Sequence, residues 1–153
     1  MNRRRIAVAA GLVLAALVLV AAAVRWSGWR ANLSIDHTDA RRVSRGAPIY
    51  ARHCAGCHGR NLEGQPDWQS RNAQGRLPAP PHDEHGHTWH HEDSVLFDVT
   101  KHGLANVAPP GYVSDMPAFK GILSDEEIID VLAFIKSRWP ALIHDKRREA
   151  GMN

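Results

Sequence analysis

Cysteine is almost absent from this chain: 153 residues contain two, Cys54 and Cys57. A disulfide between them would close a very small loop and stabilise little. A structural zinc site would need about four ligands, usually including a second Cys or His pair at set spacing. A thioredoxin-like dithiol needs a βαβ setting, and no convincing strand or internal repeat is present. Methionine is nearly as scarce, with Met1, Met116 and Met152 only. Acidic residues are missing from the first thirty positions, where Arg3, Arg4, Arg5, Arg25 and Arg30 lie. Residues 31–153 hold 14 basic and 16 acidic side chains, a formal charge of −2. The pI near 9.2 therefore misdescribes most of the chain. With no basic field, nucleic acid is excluded as a partner.

What the sequence has instead is one long apolar run. Ile6 to Val24 carries no charge and no strong polar group. As a helix it would be roughly 28 Å long, near the hydrocarbon thickness of a bilayer. Arg3–Arg5 precede it and Trp26 and Trp29 follow it, as expected of a positive inner end and an interfacial aromatic belt. A cleaved signal peptide competes, since Ala21-Ala22-Ala23 offers a small-residue site. The run is longer than an ordinary signal core, which favours an uncleaved membrane anchor. Either way, the chain after Val24 is expected outside the cytoplasm.

The remainder divides by composition. Residues 1–30 are the anchor with its flanks, 31–40 a short polar linker, 41–140 one globular domain, and 141–153 a charged, frayed tail. Arg41 to His53 reads as a first helix, with Pro48 tolerable only near its start. Residues 59–88, rich in Gly, Pro, Asn, Asp and His, read as loop. So long a loop suits a domain that wraps something other than protein. His90 to His102 reads as a helix closed by Gly103. A second Pro/Gly loop runs from Leu104 to Gly121. Ser124-Asp125-Glu126-Glu127 is a capping box, and Ile128, Val131, Leu132 and Ile135 make one face of a last helix that Pro140 stops. The fold class expected is all-α, with too little regular structure to pack without a large apolar ligand.

Cys54-Ala55-Gly56-Cys57-His58 is the c-type haem attachment pattern. Two thiols at this spacing can each add to one vinyl group of the same porphyrin. The adjacent imidazole then lies beneath the iron as a ligand. Methionine is the commonest partner of such a histidine. Met1 is the initiator and Met152 lies in the tail, which leaves Met116 as the sixth ligand. The metal ligands expected are thus His58 and Met116, on one covalent haem c.

These motifs, with Asp115-Met116-Pro117-Ala118-Phe119, Leu123-Ser124-Asp125-Glu126-Glu127-Ile128 and Arg138-Trp139-Pro140, resemble a class I mono-haem cytochrome c over residues 41 to 140. The resemblance implies a small all-α fold around the haem and a crossing of first and last helices, where Gly46 and Tyr50 meet Phe134. It also implies that Leu77-Pro78-Ala79-Pro80-Pro81 supplies a carbonyl, Pro80 by choice, to the proximal histidine's N–H. Trp89 is expected to bury its ring against the haem and donate its N–H to a propionate. The function implied is electron transfer rather than catalysis, at the membrane, with redox proteins as partners and no small-molecule substrate.

The chain departs from that pattern between the motifs. His82, His85, His87, His90 and His91 crowd into ten residues. A second metal site is one reading; a solvated loop at the haem edge is the other and the simpler, since no ligand spacing is diagnostic. A haem peroxidase with Met116 displaced, and a fixed subunit of a respiratory complex, are further alternatives.

Overall fold

A computed structural model describes residues 3–31, 33–104 and 107–152. The chain divides between Leu33 and Ser34 into two compact units. The first is a single helix, α1 (Arg3–Ala31). Its large apolar side chains from Val8 to Val24 are exposed where they are described. The side chains of Arg3–Arg5, Trp26 and Trp29 lie outside the described residues. Among the described residues no helix is long and apolar enough to cross a membrane.

The second unit is helical, with no strand among its described residues beyond one bridge between Lys120 and Leu123. Helix α2 (Ala40–His53) starts where the Asp39 carboxylate accepts the backbone N–H groups of Arg41 and Arg42. It runs to Cys54, whose N–H donates to Tyr50 O. Pro48 lies in its interior, not near its start, so Ser44 O loses its i+4 donor there. Four residues, α3 (Ala55–His58), follow at once.

Helix α5 (Asp125–Ser137) begins at the capping box: Ser124 Oγ accepts from Glu127 N–H while Glu127 Oε2 accepts from Ser124 N–H. Ile128, Val131, Leu132 and Ile135 are buried on one face. A different side of the helix, at Asp130 and Phe134, meets α2 at the crossing the resemblance implied. A Cβ at Gly46 would overlap Asp130 O and press on Phe134 Cβ, so only glycine permits this approach. Tyr50 and Phe134 meet at 5.3 Å. Arg42 and Arg45 both donate to the buried Asp130 carboxylate, closing the crossing from the solvent side.

Helix α4 (Asp93–His102) packs Leu96 and Phe97 into the same core, and Gly103 ends it at φ 74°. It starts three residues later than the periodicity predicted. A separate 3-10 turn, Thr88–His90, precedes it.

The two segments read as polar appendages behave otherwise. Residues 141–149 form helix α6 (Ala141–Glu149), with Ile143 and Arg147 buried. Ile35, in the linker, is also buried. Both are held by one carboxylate: Asp93 accepts from Ile35 N at 2.6 Å, Lys136 Nζ at 2.5 Å and Arg147 Nη2 at 2.9 Å. Composition hid this because an arginine in a charged tail reads as solvated until its buried partner is known.

Candidate functional site: the Cys54–His58 turn and its surroundings

The turn is local in origin. Cys54 ends α2 and its carbonyl accepts from both Cys57 N–H (3.1 Å) and His58 N–H (2.9 Å). The chain then reverses at Gly59, φ 81°. Tyr50 hydroxyl donates to Gly59 O at 2.7 Å, which ties the reversal to α2. Cys54 is half-buried and Cys57 exposed, and neither is in a disulfide. Burial, and then neighbouring Cys57, pushes the Cys54 thiol up to about 11, so it is a protonated thiol at neutral pH.

His58 is 8% exposed. Its Nδ1 lies 2.9 Å from Pro80 O, which can accept only if Nδ1 carries the proton. Nε2 is then the basic nitrogen. Burial lowers the His58 pKa and the Pro80 bond opposes that, so the imidazole is neutral, the form that ligates metals.

Pro80 is held by a glycine cradle. A Cβ on Gly64, at φ 68°, would overlap Pro80 C and Pro81 N, and one on Gly86 would overlap Pro81 O. Gly64 N–H donates to His58 O at 2.8 Å, which closes the loop onto the turn. Leu62 adopts φ 73°, rare for a branched residue. Its carbonyl thereby accepts His82 N–H at 2.7 Å.

His82 escaped sequence reasoning. Its ring stacks on His58 at 3.9 Å and 21°. Its Nδ1 is 2.7 Å from Thr88 Oγ1, and its carbonyl accepts from Trp139 Nε1 at 2.7 Å. Stacking uses the face of His58 and leaves the Nε2 edge available. The only signal was position, two residues after Pro80, and it was lost among five histidines.

Met116 stands on another loop. It is half-buried, and its N–H donates to Ser114 Oγ at 3.0 Å. Phe119 N–H to Thr100 O (3.1 Å) and Lys120 N–H to Lys101 O (2.9 Å) fasten that loop to α4. An exposed ion pair, Arg76 with Asp115, fastens it to the first loop. Trp89 stacks on His90 at 3.6 Å and donates its N–H to Glu84 O at 3.3 Å. Among the described residues no hydrogen bond or ring contact joins Met116 or Trp89 to His58. Nor does any group of three His, Cys, Asp or Glu side chains suited to a metal ion occur among them, in the histidine-rich loop or elsewhere.

The donor set at the turn fits haem c. Two free thiols three positions apart, one exposed and one half-buried, flank a neutral imidazole whose Nδ1 is already engaged. A family model described as Cytochrome c matches residues 43–139. Comparison with curated proteins and with solved structures gives no significant match.

Proposed function

The chain belongs to the cytochrome c family, and we propose that it is a membrane-anchored, single-haem electron carrier working outside the cytoplasm. Haem c is bound covalently through Cys54 and Cys57, and haem-based electron transfer is the role this family supports. When bound, the haem supplies a one-electron iron couple. The chain's own residues anchor it, choose its ligands and limit its chemistry.

His58 and Met116 would hold its iron. The observation that carries this reading is the His58 Nδ1 to Pro80 O hydrogen bond. It fixes the tautomer, orients the ring and raises its basicity, as a second-shell bond does at a metal centre. Met116 follows from scarcity: Met152 lies beyond α6, and Met116 sits half-buried in a loop fastened to α4. With both residues held to it, the iron would have no open site for substrate, which favours a carrier over an enzyme. One Cys-x-x-Cys-His pattern in the sequence supports a single haem.

The anchor is Ile6–Val24, on the strength of its uncharged length and its arginine and tryptophan flanks. It places the haem domain on the extracytoplasmic side, where haem c is attached. Electrons pass to and from redox proteins, as transient partners or within a respiratory complex.

Carbon monoxide tests the ligation. The reduced wild-type protein should bind it negligibly at neutral pH, because the sixth position is taken. Rapid, stoichiometric binding would replace the carrier reading with a haem enzyme.

A further inference from the structure

A cavity of about 380 Å³ lies away from the haem-attachment turn, bordered by residues 34–37, the end of α5, and α6. His37, Lys136, His144, Arg147 and Arg148 line it, with Asp36 as the one lining carboxylate among the described residues. Behind it lies an unbalanced charge cluster. The Lys136 and Arg147 side chains are 4% and 3% exposed, and their common partner Asp93 is 0% exposed. Two buried cations share one buried carboxylate. A buried charge that lacks a counter-charge is costly. Asp36 offsets it only in part: it attracts Lys136, but it is exposed and its Oδ1 accepts from Thr38 N–H and Thr38 hydroxyl.

Donors remain on the cavity wall. Lys136 Nζ has three N–H bonds, of which one goes to Asp93. His37 and His144 stack face to face at 3.8 Å and 7°. Among the described residues neither ring nitrogen has a hydrogen-bond partner. Arg148, paired with Asp145, stands at the exposed rim.

We propose that this cavity binds a phosphate-class anion, held by Lys136 and the ring edges of His37 and His144, with Arg148 at the rim. The anion supplies the counter-charge that Asp93 alone cannot. The volume exceeds that of a simple halide and suits a phosphate ester. Two sources share this chemistry: free phosphate and the phosphodiester of a lipid headgroup. Ser34 lies three residues past the end of α1, at most about 10 Å of extended chain, so a headgroup is within reach. That second source rests on the anchor reading; the site itself does not.

Both imidazoles are poised to respond. Burial first, then Lys136, holds His37 below its ordinary range, with Arg147 acting the same way and Asp36 and Asp93 opposing. Burial first, then His37, Lys136, Arg147 and Arg148, lowers His144. An anion at their ring edges reverses the cationic part of that shift. Binding should therefore take up protons and tighten as pH falls toward about 6.

The test uses the full-length, haem-loaded ferrous protein in uncharged detergent micelles. Inorganic phosphate is exchanged for chloride at constant ionic strength while the ring-proton resonances of His37 and His144 are followed. Saturable shifts in both rings, with raised titration midpoints, are expected. His144→Gln and Arg148→Ala, at half-buried and exposed positions, should each weaken binding about tenfold. Linear, non-saturating shifts, or wild-type affinity in both variants, would overturn the proposal. A second arm places the protein in bilayer discs of phosphatidylcholine with or without phosphatidylglycerol. The same ring shifts only with the anionic lipid support the site with a headgroup as occupant; saturable phosphate binding without lipid discrimination supports it with free phosphate. Failure of the anchor reading would show separately, as release of the protein from membranes by an alkaline wash.

Discussion

The two sides proposed to ligate the iron are built differently. His58 stands on a turn fixed within its own neighbourhood: Cys54 O, Gly59, Tyr50 hydroxyl, Gly64 and Pro80 all lie within 26 residues of Cys54 and brace one another. Met116 stands on a loop held from outside, by two backbone bonds and a His53–Phe119 ring contact to the helices, and by an exposed ion pair and an Arg71–Tyr112 cation–π contact to the first loop. Local bracing with covalent thioethers makes a ligand that stays. Remote, sparse bracing makes a ligand that can leave. The contrast implies that damage on the histidine side removes the cofactor, whereas damage on the methionine side changes what the cofactor does.

The largest expected effect breaks the first side. Replacing Cys54 and Cys57 together by Ala should abolish covalent attachment; denaturing electrophoresis with haem staining, and a mass lower by one haem, would check it. Retention of haem through acid–organic extraction of that variant would contradict the assignment. A smaller break is Gly64→Ala or Gly86→Ala. Either Cβ intrudes on Pro80–Pro81, costing about 1–3 kcal/mol by overpacking. The added sign of a displaced Pro80 carbonyl would be a shifted reduction potential with haem still attached. Wild-type stability and potential in both variants would mean the cradle is not needed.

Asp93 joins neither side but holds the frame to the linker and α6. Asp93→Ala strands Lys136 and Arg147, and breaking a buried pair of this kind costs about 3–5 kcal/mol. Denaturant unfolding should show it, together with proteolysis within α6. Ser124→Ala, which removes the α5 cap, should cost about 1 kcal/mol by the same measurement. The smallest effect sharpens the comparison. Arg76→Ala removes an exposed pair worth about 0–1 kcal/mol. It should leave overall stability nearly unchanged and still make Met116 easier to displace by added imidazole.

Acid sensitivity has a definite sign. His37 and His144 are both lowered in the fold, so the unfolded chain takes up protons first. Stability is therefore full above the ordinary histidine range and falls as pH drops through about 6.5 and below. His37→Gln with His144→Gln should flatten that part of the stability-against-pH curve. An unchanged slope would assign it to other groups.

Much of this was legible in the sequence because it is local. The Cys54–His58 motif, the Ser124–Glu127 box and the Gly103 stop each lie within a few residues and carry their own geometry. The α2–α5 crossing was legible only through the resemblance, since nothing near Gly46 announces Asp130 or Phe134. What stayed hidden depends on partners far along the chain. Ile35, Arg147 and Lys136 meet at Asp93 across 58, 54 and 43 residues. His82 was one histidine among five until the Pro80 cradle placed its ring on His58. Pro48 inside α2 shows tertiary packing outweighing a local preference.

The central claim is that the iron is closed by Met116 and works by exchanging electrons. Its most direct test is Met116→Ala in the haem-loaded protein, followed by potentiometry and carbon monoxide binding. The thioether favours ferrous iron, so its loss should lower the potential and open the iron to carbon monoxide, while haem stays attached through Cys54 and Cys57. A variant with wild-type potential, still closed to carbon monoxide, would show that another side chain holds the sixth position and would contradict the claim.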